Sequence, residues 1–131
     1  MEGGLIRRVY ASEEDSSYSI YIPESLVAKL GTLLVTIEDR GDHLVVRPAT
    51  PEAARGGARI YRVSARRGSR GGTVYRLTLP AQAARRWGVR FVSLEEEGGH
   101  LIVRPVTDDD LRATALLTMV GVLRKWAGEV A

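Results

Sequence analysis

The 131-residue chain contains no cysteine. That excludes a disulfide framework and any thiolate metal site. Lysine is nearly absent as well, with only Lys29 and Lys125, so the basic charge is almost entirely arginine. Arginine presents a planar donor fork suited to phosphates and guanine edges. No long apolar run occurs. The longest uncharged stretch, 113–123, falls well short of the roughly 20 residues that a membrane helix needs. Met1-Glu2-Gly3-Gly4 leads straight into a strand-like run, with no secretory or transit pattern. A soluble, cytoplasmic protein without a membrane partner is therefore expected. Catalytic signatures are lacking too: no Ser/His/Asp spacing, phosphate loop or paired-carboxylate arrangement stands out. His43 and His100 have no cysteine to join them, and two imidazoles alone make a poor metal site. Glu95-Glu96-Glu97 reads as a solvated turn. Neither an enzyme nor a bound cofactor or metal is expected.

What the chain does have is an internal repeat. Tyr18 to Pro48 lies without a gap on Tyr75 to Pro105, 57 positions on, and 11 of the 31 aligned positions are identical. Among them are Pro23/Pro80, Gly31/Gly88, Gly41/Gly98, His43/His100 and Arg47-Pro48/Arg104-Pro105. Most other pairs exchange like for like, as in Ile20/Leu77 and Val45/Ile102. This is a duplication. Each copy, of roughly 45 residues, is close to the smallest size that holds a core by itself, so the two are expected to fold as one intertwined unit.

Both copies read as ββαββ. In the first, 5–10 and 18–22 alternate as strands, Pro23 opens a short helix, and Gly31 stops it. The runs 33–37 and 43–47 then form a hairpin about Gly41-Asp42, and Pro48 ends the ladder. Residues 60–64, 74–79, 91–94 and 101–104 repeat the order, with Pro80, a short helix and Gly88 between. The organisation expected is repeat 1 over 1–48, a linker over 49–58, repeat 2 over 59–105 and a C-terminal helix over 107–130. Thr107 can cap that helix, and Asp108-Asp109-Asp110 sit at its positive end. Its middle is apolar nearly all round, so Leu116, Met119, Val120, Leu123 and Trp126 are candidates for joining two chains in a homodimer.

Charge is unequally divided. Residues 1–48 carry a net −3, residues 49–105 a net +7 and the remainder −1. The basic set of the second copy is Arg62, Arg66, Arg67, Arg70, Arg76, Arg85, Arg86 and Arg90, interrupted by Gly68, Gly71 and Gly72. Such a loop can follow a phosphate backbone closely. If the strands pair as read, that loop and the start of the short helix share one end of the fold. The first copy has Glu13, Glu14 and Asp15 at the equivalent loop, with Arg7 and Arg8 as partial compensation.

The sequence of strand, I/L-x-I/L-P, short helix ending in L/W-G, and hairpin closing in L-V/I-V-R-P resembles the AbrB/MazE/MraZ superfamily (the SpoVT-AbrB domain). The resemblance covers both copies and not the C-terminal helix. It implies a mainly β protein in which the tandem repeats interleave into one swapped-hairpin β-barrel, a pseudo-dimer within one chain. It also implies a transcription regulator that binds double-stranded DNA. The family's arginine four residues before the motif proline is matched by Arg76, whereas the first copy has Ser19. The family's basic residues one turn into the helix are matched approximately by Arg85 and Arg86. A MazE-like antitoxin or assembly adaptor is the alternative implied, with a protein partner on the C-terminal helix or the acidic loop.

Overall fold

Strands in this chain are set by short alternating runs of β-branched and aliphatic residues, closed at each end by proline, glycine or acidic turns. A computed structural model describes residues 5–113 and residue 116. The fold is mainly β. In chain order the elements are β1 (Leu5–Arg8), β2 (Tyr10–Ala11), β3 (Tyr18–Ile22), α1 (Glu24–Leu30), β4 (Leu34–Asp39), β5 (Leu44–Pro48) and α2 (Pro51–Arg55). There follow β6 (Tyr61–Arg62), β7 (Ser64–Arg67), β8 (Thr73–Leu79), α3 (Ala81–Trp87), β9 (Phe91–Glu97) and β10 (His100–Val106).

Two sheets result. One has six strands in the order β1-β9-β10-β5-β4-β6, and the other has four in the order β2-β3-β8-β7. Each first strand breaks at a valine and changes sheet there, as barrel and sandwich corners require. Val9 separates β1 from β2, and the fully buried Val63 separates β6 from β7. Neither break shows in the alternation, which runs on through both valines.

The pairings cross between the copies. β1 of the first copy pairs with β9 of the second, and β6 of the second pairs with β4 of the first. The same backbone bond fixes both corners: Val9 N–H donates to the Arg90 carbonyl at 2.8 Å, and Val63 N–H to the Leu33 carbonyl at 2.7 Å. Arg90 and Leu33 are themselves 57 positions apart. At the centre of each sheet, equivalent residues face one another: Ile20 opposite Leu77 across β3 and β8, and Val45 opposite Ile102 across β5 and β10. The register therefore maps onto itself when the two copies are exchanged.

The core follows from this. Ile20, Ile22, Leu77 and Leu79 from the four-stranded sheet pack with Val35, Leu44, Val46, Val92, Leu94, Leu101 and Val103 from the six-stranded one. The helices add Val27, Leu30 and Ala83 to the same cluster. Both short helices begin after a proline, Pro23 and Pro80, and stop at a left-handed glycine, Gly31 at φ 73° and Gly88 at φ 58°. Among the described residues no helix is long and apolar enough to cross a membrane.

The stretch expected to be a linker holds a helix, α2. Thr50 caps it, its Oγ1 accepting from the Ala53 N–H at 3.1 Å, with Pro51 at the first position. Thr107 starts the C-terminal helix in the same way. Its Oγ1 accepts from the Asp110 N–H at 3.1 Å, while its own N–H donates to Asp110 Oδ2 at 3.0 Å, a reciprocal capping box. That helix is described over 108–113. Met119, Val120, Leu123 and Trp126 lie outside the described residues, and Leu116 is 61% exposed.

Candidate nucleic-acid interface

The outer face of the four-stranded sheet is set by the pleat. Ile20, Ile22, Leu77 and Leu79 point inward, so Ser19, Tyr21, Arg76 and Thr78 point out. Cross-strand register extends that face. Tyr10 is opposite Ser19, Tyr21 is opposite Arg76, Arg76 is opposite Ser64, and Arg66 is opposite Val74. Arg66 and Arg76 are thus diagonal neighbours on one surface, roughly 7 Å apart at Cβ. β7 is exposed along its whole length, with Arg67 at its end.

The hairpin beyond β7 carries Arg70. It is closed by two backbone bonds, Gly68 N–H to the Gly72 carbonyl at 2.6 Å and Gly71 N–H to the Gly68 carbonyl at 3.1 Å. A Cβ on Gly68 would lie 3.1 Å from the Gly72 oxygen and 3.2 Å from Val74 Cγ1, so a side chain there requires these neighbours to give way by a few tenths of an ångström. The glycines build a narrow projecting loop that presents Arg67 and Arg70 together.

Ion pairing sorts the arginines. Arg40 and Arg47 pair with Glu38, Arg55 with Glu52, Arg86 with Asp39 and Arg90 with Asp108. Arg62, Arg66, Arg67, Arg70, Arg76 and Arg85 make no ion pair with any described residue, and all six are exposed. Four of these six, Arg66, Arg67, Arg70 and Arg76, belong to the single β7–β8 hairpin.

Arg86 does something else. Its fork grips Asp39 in bidentate fashion at 2.7 and 3.1 Å and also donates to the Gly41 carbonyl at 3.0 Å. Trp87 Nε1–H donates to the same carbonyl at 2.8 Å. The Arg86 bond, with the Gly41 N–H second, holds the Asp39 carboxyl below the usual carboxylate range, and Asp39 in turn raises Arg86. This side chain fastens α3 to the β4–β5 hairpin and has few donors left for a phosphate.

Nor do loop and helix share an end. The hairpin at 68–72 precedes β8, and α3 follows it, so a strand of seven residues, about 20 Å, separates them. Because β3 and β8 are antiparallel, with Ile22 opposite Tyr75, the helix that starts beside the basic hairpin is α1 of the first copy. Arg85 is accordingly remote from the Arg66–Arg76 surface. Arg62, on β6, instead lines a groove of about 440 Å³ with Arg59, Tyr61 and Asp15. The acidic turn 13–15 therefore lies beside α3, at the end opposite the basic hairpin. There Asp15 Oδ1 accepts from the Ser17 N–H at 3.1 Å, and bonds from Ser17 lower its pKa.

Arg7 and Arg8 lie on β1, at the edge of the six-stranded sheet, and as consecutive strand residues leave opposite faces of it. Arg8 places its guanidinium 5.5 Å from the ring centre of Tyr10, and Arg7 donates to the Ile6 carbonyl at 3.4 Å. Tyr10 and Tyr21 meet edge to face, with ring centres 5.3 Å apart. Composition hid these tyrosines, because nothing marks a strand tyrosine as outward until the register is known.

No family model, curated protein or solved structure matches the chain. Among the described residues no group of histidines and carboxylates could hold a metal ion.

Proposed function

We propose that the chain is a DNA-binding regulator of the AbrB type, folded as a swapped-hairpin barrel in which residues 1–48 and 59–105 form the two halves of a pseudo-dimer. The crossed pairing of β1 with β9 and of β6 with β4, in equivalent register, supports the interleaved fold. One observation carries the functional reading. Arg66, Arg67, Arg70 and Arg76 are gathered on one hairpin, exposed, and matched by no described carboxylate. Phosphate oxygens are the acceptors such a surface lacks, and duplex DNA supplies them at close spacing. The first copy contributes no equivalent set, since its hairpin carries Glu13, Glu14 and Asp15. One chain therefore offers a single basic end, and a two-fold DNA site takes two chains, joined in this proposal through the C-terminal helix and its exposed Leu116.

The test is fluorescence anisotropy on a mixed-sequence duplex across a salt series, with the wild type and an Arg66/Arg67/Arg70/Arg76→Ala variant. Wild-type affinity should fall steeply with salt, and the variant should flatten the log–log slope by about 3 to 4, close to one unit per lost phosphate contact. Arg85→Ala, at the other end, should leave the slope nearly unchanged. A folded wild type that binds no duplex at low salt would sink the reading and direct the search to a protein partner.

A further inference from the structure

Exchange of the copies relates two grooves, each between the first strand of one copy and the outer face of the four-stranded sheet. One, of about 440 Å³, includes Ile60, Tyr61, Arg62 and Thr78. The other, of about 330 Å³, is lined by Ile6, Arg7, Arg8, Tyr10 and Tyr21 alone. The second has changed in a consistent direction. Tyr21 stands where the other copy has Thr78, and Tyr10 where it has Ser64, the residue that follows the corner valine in each copy. Each groove is lined by two arginines, Arg7 and Arg8 in the second and Arg59 and Arg62 in the first. No described carboxylate lines the second, whereas its counterpart includes Asp15.

The Tyr10 and Tyr21 rings, the Arg8 guanidinium over Tyr10 and the Ile6 side chain form a stacking and anion-binding set. Tyr10 is 45% exposed although it packs against Tyr21 and under Arg8, so it keeps free surface. A volume of 330 Å³ lies at the small end of the ligand-pocket range, about 300–1,000 Å³. The groove opens on the sheet face that also carries Arg76, the residue directly opposite Tyr21. Resting on the DNA-binding reading above, we propose that this groove takes an unpaired nucleobase of the DNA held by the basic hairpin. Arg8 would take its phosphate. Stacking on tyrosine and arginine planes tolerates any base, so the preference is for single-stranded character and not for a sequence.

The measurement compares a fully paired duplex with the same duplex carrying one bulged 2-aminopurine, by anisotropy for affinity and by 2-aminopurine emission for stacking. The bulged probe should bind roughly tenfold tighter, within the range one base–aromatic stack supplies, and its emission should be quenched on binding. A Tyr10→Ala/Tyr21→Ala variant should lose both the preference and the quenching while its affinity for the paired duplex stays unchanged. A Tyr10→Phe/Tyr21→Phe variant should keep both effects, which separates stacking from any loss of fold. Equal binding of the two probes with unquenched emission overturns this inference and leaves the duplex reading standing. Binding of the bulged probe alone supports the inference and removes the duplex reading. Binding of neither overturns both.

Discussion

At the scale of residues, charge by itself did not separate an arginine that binds a partner from one that fastens the fold. Arg85 and Arg86 are adjacent in a basic run, yet Arg86 finds its acceptor 47 positions away in Asp39 while Arg85 makes no described ion pair. That partner becomes visible only when α3 is laid on the β4–β5 hairpin. The pair has a pH signature. Asp39 is held below its ordinary value mainly by the Arg86 bond, so the interaction is complete above the unfolded carboxylate's ordinary pKa of about 4. It is lost as pH falls through the lower folded value. Both side chains are partly exposed, 44% for Arg86 and 32% for Asp39, so solvent and salt weaken the pair. Arg86→Ala should therefore unfold at a lower temperature than the wild type at pH 7, by a few degrees at most. The deficit should shrink as pH falls below the ordinary carboxylate range, leaving the part due to the Gly41 carbonyl bond, and shrink also at high salt. An equal deficit at pH 7 and pH 2 would show that Arg86 acts through the Gly41 carbonyl and not through Asp39.

At the scale of elements, the sequence announced the helices better than the corners. Proline before and glycine after each short helix have a local cause, and both helices end in the left-handed glycines expected of them. The sheet changes at Val9 and Val63 have no such local sign, because one alternating run serves both sheets. The helix α2 is hidden because Pro51 and Gly56-Gly57 within ten residues make 49–58 read as a linker, although Thr50 and Thr107 are themselves 57 positions apart and both cap helices. The duplication thus reaches past Pro48 and Pro105 to a threonine-capped helix start in each copy. The helix stops give a clean stability prediction. A Cβ on Gly31 would meet nothing within 4 Å, and one on Gly88 only the Arg85 carbonyl oxygen at 3.9 Å, so the cost of alanine is backbone conformation alone. Gly31→Ala and Gly88→Ala should each destabilise by about 1–2 kcal/mol, with asparagine at either position costing less. The caps sit in different helices with no shared contact, so the double variant should show the sum in urea melts.

At the scale of the whole molecule, the duplication foretold the element order and the mainly β class, but not the outward faces of the sheets or which arginines are free. The crossed pairings carry a consequence for the isolated first copy. In residues 1–57, Val9 has lost the Arg90 carbonyl and β1 has lost β9, yet Leu33, the counterpart of Arg90, is present and unoccupied. A second copy of the fragment can satisfy both, because Ile20 facing Ile20 replaces Ile20 facing Leu77, and Val35, Leu44 and Val46 already match Val92, Leu101 and Val103. Volume-conserving exchanges of this kind are well tolerated in cores. The hairpin fastening is weaker, with Lys29 in the place of Arg86 and Leu30 in the place of Trp87, so the indole bond to the Gly41 carbonyl is gone. Fragment 1–57 should therefore be unfolded as a monomer and fold as a homodimer. Its unfolding free energy should drop by about 1.4 kcal/mol for each tenfold dilution, read from urea midpoints over a concentration series with sedimentation to fix the mass. A fragment that is folded and monomeric at low concentration would mean that each copy closes its own core, and the interleaved reading of the chain would fail with it.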